Sequence, residues 1–181
     1  MGPELAATVM KLALPVAVII MVLTVTRTKG ISWRDDLGLR APRLAPALLW
    51  IAAWIVWVAL CEVLIQKLGM HQATAWPPYP LPIIALRIAA IGLVGPFSEE
   101  LVMRGVLLDR LRRTPLRAAG AVVLVAAGWA LMHYRYEWST LALIFADGLV
   151  LGAARVQTRS LWVPVAMHVM GNLFSIWQSL S

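Results

Sequence analysis

The sequence predicts an all-α fold, a polytopic transmembrane helical bundle of about six spans with a four-helix core in its second half. Three observations carry this. First, 61% of the 181 residues are hydrophobic and 14% are charged, whereas soluble domains average about 45–50% and about 25%. Second, the apolar residues come in runs near the ~20 residues that a helix, rising ~1.5 Å per residue, needs to cross a ~30 Å hydrocarbon core. Third, the basic residues gather in short clusters between those runs, where the positive-inside rule puts cytoplasmic loops. The net charge of +7 is therefore read as membrane topology, and no nucleic-acid partner is expected. Residues 1–181 form a single integral membrane domain, with two N-terminal spans and loops in 1–80 and the core in 81–181.

The first span covers residues 5–25, with Lys11 near its start able to snorkel to the interface. Its length and its basic C-terminal flank distinguish it from a signal peptide. Residues 27–43 carry five basic residues and the Asp35-Asp36 pair, too polar for lipid and placed in the cytoplasm. The second span is 44–65; its Trp50, Trp54 and Trp57 face lipid or pack, and Glu62 near its far end is structural. Residues 67–82, with Pro77, Pro78, Pro80 and Pro82, read as an external loop that cannot be helical. The run 81–111 is long for one span, and Gly95-Pro96 is expected to kink or break it. A second basic cluster, Arg110 to Arg117, precedes a short span at 118–132 that ends at His133. Residues 134–139 turn outside, 140–154 span again with Asp147 buried, Arg155 and Arg159 mark a third cytoplasmic turn, and 161–180 is the last span. Both termini then lie outside. Cys61, the single cysteine, allows no disulfide and no paired-cysteine metal site.

Few ionisable groups remain at depth: Arg87, Glu99, Glu100, Arg104, His133, Asp147 and His168. Each charge there is costly, roughly 2.5 to 3.5 kcal/mol on insertion scales, which makes it a functional candidate. Glu99 and Glu100 project about 100° apart on a helix. Glu100 and Arg104, four apart, share a face and can pair, leaving Glu99 for chemistry. His168 and Asn172 share a face of the last helix, as do Trp129 and His133 on the fourth. A buried carboxylate can take a proton from water. An imidazole can hold or relay that water's proton. Histidine and amide donors can stabilise an oxyanion, by roughly 3 to 4 kcal/mol each in a dry site. That set amounts to a hydrolase for an amide bond.

The pattern Glu99-Glu100-x-x-x-Arg104, Trp129-x-x-x-His133 and His168-x-x-x-Asn172 resembles the CPBP (CAAX protease and bacteriocin-processing) family. That family contains glutamic intramembrane proteases related to the type 2 CAAX prenyl protease. The connecting stretches at 145–152 and 158–164 look like its lead-in to the third motif, and Asp36-Leu37-Gly38-Leu39 resembles a common N-terminal element. The resemblance covers roughly 83–177. It implies that Glu99 activates water with His133 as its partner, that His168 and Asn172 stabilise the oxyanion, and that Glu100 and Arg104 support them. No cofactor and no metal are implied. The implied partners are membrane lipid and a peptide or protein substrate, membrane-embedded or lipid-anchored, and the implied location is the bacterial inner membrane, multi-pass. Trp129 stands where the family usually has Phe, a change expected to alter pocket shape more than chemistry. Two other readings fit the same residues: a non-catalytic scaffold or bacteriocin-immunity protein, and a zinc hydrolase with Glu99, His133 and His168 as ligands.

Overall fold

The computed structural model describes residues 2–70 and 75–180; part of the expected external loop, residues 71–74, lies outside the described residues. The chain forms six helical rods: α1 Pro3–Thr28, α2 Leu44–Leu68, α3 Leu81–Leu111, α4 Arg117–Met132, α5 Trp138–Thr158 and α6 Trp162–Leu180. There is no strand among the described residues. α1, α2, α3 and α5 are long and apolar enough to cross a membrane, whereas α4 has 16 residues. The all-α polytopic bundle is the fold the hydropathy pattern predicts, and the chain is an integral membrane protein.

α1 and α2 expose Met10, Leu14, Ile20, Leu48, Leu49 and Ile55, the side chains lipid would cover. Because lipid is as apolar as leucine, helices in a membrane associate through close fit and polar contacts, with small residues where backbones meet. α4 and α5 meet in that way. A Cβ added at Gly148 would lie 2.9 Å from Ala126 Cβ, and one at Gly152 would lie 2.9 Å from a Val122 methyl. Trp54 of α2 is buried in the same core as Met103, Val125, Trp129 and Met167, so it packs against protein and not against lipid.

α3 is not broken at Gly95-Pro96. Wide helical turns at Ile88–Val94 and Leu101–Leu107 flank one regular stretch, Gly95–Glu100. Gly95 N–H reaches back five residues to the Ala90 carbonyl, and a Cβ on Gly95 would stand 2.9 Å from that oxygen. Proline, which would disrupt a tight turn, is absorbed by widening the one before it. The rod stays continuous, and its register is shifted where the acidic pair begins.

At the end of the bundle bearing the basic turns, the segment 29–43 is tied down by its own backbone. Leu161 N–H donates to Gly38 O at 2.7 Å and Ser160 Oγ donates to Arg40 O at 2.7 Å. Arg155 donates to Asp36 O at 3.2 Å, and Arg113 pairs with Asp36 at 2.6 Å. Gly38 has φ +77° and sits so close to the Arg155 guanidinium that a Cβ would fall 2.5 Å from it, which accounts for glycine there. At the other end Arg87 stacks over Trp76 and Tyr79, 4.8 Å from each ring, and Trp76 N–H donates to Ser179 O. That is where the structure places the Arg87 charge.

Candidate active site

The ion pair expected from spacing is present. Arg104 donates to Glu100 Oε1 at 2.7 Å, with both side chains fully buried. The same oxygen faces His168 Nδ1 at 3.0 Å. Arg104 also reaches Gly148 O at 3.3 Å and lies 4.7 Å over the Trp129 ring. Thus α3, α5, α4 and α6 meet around one guanidinium. A carboxylate is acceptor-only, so His168 carries its proton on Nδ1 toward Glu100 and leaves Nε2 for other work.

Glu99, half-buried, accepts a hydrogen bond from Trp129 Nε1 at 2.8 Å. Beyond the change of shape expected where phenylalanine is usual, the indole N–H is a polar contact to the carboxylate itself. The Trp129 ring also stands edge-on to both imidazoles, 5.5 Å from His133 and 5.3 Å from His168. His133 lies just past the end of α4, and its Nδ1 is 2.9 Å from Trp129 O. A carbonyl can only accept, so Nδ1 bears the proton, and a neutral ring offers the Nε2 lone pair. The backbone carbonyl, left open where the helix stops, thereby fixes the tautomer.

Asn172 Nδ2 donates to Ile91 O at 2.9 Å. In a wide turn that carbonyl would accept from the residue five on, which is Pro96, and proline has no N–H. The proline that looked like a helix breaker instead frees an acceptor that orients Asn172.

Glu99, His133, His168 and Asn172 all line a single cavity of about 770 Å³. Its other walls bring in Asp147, an ionisable group at depth with no role assigned from sequence, and α2 residues expected only to pack. Asp147 takes Trp57 Nε1 at 2.6 Å, and Trp54, Val58, Cys61, Glu62 and Ile65 form an α2 stripe at helical spacing along the cavity. That spacing was the available signal, masked by the apolar character of the whole run. Glu62 accepts from Gln66 and Gln178. Tyr136, Thr140 and Gln178 on the lining put the cavity toward the end of the bundle away from the basic turns. Among the described residues no three His, Cys, Asp or Glu side chains converge as a metal-ligand set.

These features define a membrane-embedded helical bundle with a cavity into which several polar side chains are brought from different helices. The sequence profile described as Type II CAAX prenyl endopeptidase Rce1-like matches residues 80–174, more than half of the chain, and the chain belongs to that family. It is also 28% identical, over 138 aligned residues, to an uncharacterized 24.3 kDa protein of Escherichia coli, covering 67% of this chain and 63% of that one. The chain thus spans a little under two thirds of the length of that curated relative. No solved structure matches.

Proposed function

We propose that the chain is an intramembrane endopeptidase of the glutamic type, hydrolysing a peptide bond near the C-terminus or the membrane segment of a membrane-associated protein. The observation that carries the reading is the one cavity onto which Glu99, His133, His168 and Asn172 converge from α3, α6 and the end of α4. Membership of a family described as prenyl endopeptidases supports it.

In this mechanism Glu99 takes a proton from water held between it and His133 Nε2, and the hydroxide oxygen bonds to the substrate carbonyl carbon. Trp129 holds one carboxylate oxygen, so the other meets the water. The carbonyl oxygen becomes negative and is met by Asn172 and by His168 Nε2. Donation from His168 requires the doubly protonated ring, whose charge Glu100 faces through Nδ1. The C–N bond breaks as Glu99 returns its proton to the leaving amine. The similarity to an Escherichia coli protein supports a bacterial inner membrane as the site of action, with membrane lipid around it.

The test compares C-terminal peptides of membrane proteins from cells carrying native Glu99 or Glu99→Gln. A set of truncated C-termini that disappears with the variant is expected. Identical profiles, with the variant present at normal levels, would leave a binding or scaffold protein of the same fold.

A further inference from the structure

One carboxylate on the cavity wall has no part in the hydrolytic steps. Asp147 lies near the middle of α5, about 14 Å from one end of the helix and about 17 Å from the other at ~1.5 Å per residue. Its Oδ1 accepts from Trp57 Nε1 at 2.6 Å. Among the described residues its Oδ2 is neither hydrogen-bonded nor sealed from the cavity. Other carboxylates of the bundle are provided for within the chain. Glu100 has Arg104 and faces His168, and both oxygens of Glu62 accept from amides, those of Gln66 and Gln178. Asp147 forms no ion pair among the described residues.

A carboxylate charge at mid-membrane depth costs roughly 2.5 to 3.5 kcal/mol unless a cation offsets it. The cavity is the route by which one can arrive. Among the described residues its lining sets the carboxylates of Glu62, Glu99 and Asp147 against, histidines aside, the single ammonium of Lys11, so the field inside favours a cation. We infer that Asp147 is the binding group for a basic side chain, the ammonium of a lysine or the guanidinium of an arginine in the membrane segment of the bound polypeptide. Such a side chain is as costly in lipid as Asp147 itself, and pairing relieves both at once. The next residue ties the group to the reaction. Gly148 O takes Arg104 at 3.3 Å, and a Cβ on Gly148 would stand 3.3 Å from the ring of Trp129, which holds Glu99. The basic residue is thus held beside the wall that carries the water-activating carboxylate, and it sets which stretch of the polypeptide faces that wall. For this purpose the inference rests on the endopeptidase reading.

The full chain in lipid nanodiscs, as the Glu99→Gln variant, is titrated with synthetic Leu/Ala peptides of ~20 residues. One carries no charged side chain. In the others a single lysine is moved position by position through the central turns, and partition into empty nanodiscs is measured and subtracted. At one or more positions the lysine is expected to tighten binding about tenfold or more over the uncharged peptide. Asp147→Asn keeps an oxygen for Trp57 and should abolish that gain, whereas Asp147→Glu keeps the charge and should retain most of it. Equal affinity for all the peptides overturns the proposal without recourse to any variant at 147. A gain that survives in Asp147→Asn, or is lost in Asp147→Glu, overturns it as well. Cleavage by the native chain is read separately. Lysine-dependent binding without cleavage of any peptide keeps the subsite and ends the endopeptidase reading; cleavage with no preference for lysine in KM or affinity does the reverse.

Discussion

The indole N–H of Trp129 donates to Glu99 Oε2 at 2.8 Å while the backbone carbonyl of the same residue holds His133 Nδ1 at 2.9 Å. One residue thus positions both partners of the proposed water, through its side chain and its main chain. Phenylalanine would keep the ring beneath Arg104 and beside the imidazoles but release the carboxylate. Hydrogen bonds to charged groups contribute about 1.5–3 kcal/mol, and each 1.4 kcal/mol is a factor of ten in rate. Trp129→Phe should therefore lower kcat about tenfold or more with KM little changed, and lower the melting temperature as well, because the same bond contributes to the folded state. An undiminished kcat on a peptide that the native chain cleaves would show that the indole N–H does not position the base.

Glu99 and Glu100, neighbours in sequence, should differ in what they contribute to stability. Glu100 and Arg104 are fully buried as an ion pair, and Glu100 also holds His168, so Arg104→Met strands a carboxylate and should cost about 3–5 kcal/mol. Glu99→Gln leaves the neutral amide oxygen to accept from Trp129 and should change stability by less than about 1 kcal/mol. Thermal unfolding in detergent separates the two. Equal losses of stability would mean that Glu99 also holds the bundle together.

What could be read from the chain beforehand follows the range of the interactions. Hydropathy runs and the Glu100–Arg104 pair are local, set by 20-residue windows or by one helical turn, and both are legible. The His168–Glu100 contact joins residues 68 apart, and Trp57–Asp147 joins residues 90 apart; no spacing rule reaches that far. The family pattern names His168, but not which of the two adjacent carboxylates it faces. Gly95-Pro96 is a visible signal with two outcomes, a break or a wide turn, and packing against α6 goes with the second. A Cβ on Gly92 would strike Leu173 of α6 at 2.8 Å, so the two helices run too close for α3 to bend away there.

Below the ordinary carboxylate range, acid should loosen the segment 29–43. The hydrogen bond from Arg113, then that from Ser32 N–H, hold the Asp36 carboxyl below its ordinary value of 3.8. A group with a depressed folded pKa stabilises above its unfolded value and loses that contribution as pH falls through the folded one. The tie is therefore complete above about pH 4 and weakens below it. Asp36 is partly exposed, so the effect is at most about 1 kcal/mol. Hydrogen exchange across 29–43 should quicken up to about fivefold in Asp36→Asn at neutral pH, with little change in the transmembrane helices. Exchange in the variant matching the native chain would mean that the backbone bonds from Arg155 and Leu161 suffice.

Pro96 and Asn172 should behave as a coupled pair although they lie on different helices. Alanine at 96 restores an N–H that can take the Ile91 carbonyl now occupied by Asn172 Nδ2. Pro96→Ala should then leave stability unchanged or raise it by up to about 1 kcal/mol, while the freed amide loses its fixed position and kcat falls several-fold. Asn172→Ala alone should cost more in rate, because the donor itself is gone, and should strand the Ile91 carbonyl. In the Pro96→Ala background that same substitution should cost less in both rate and stability, since the carbonyl has a new partner. Two effects that simply add in a double-mutant cycle would show that the proline does not act through the amide.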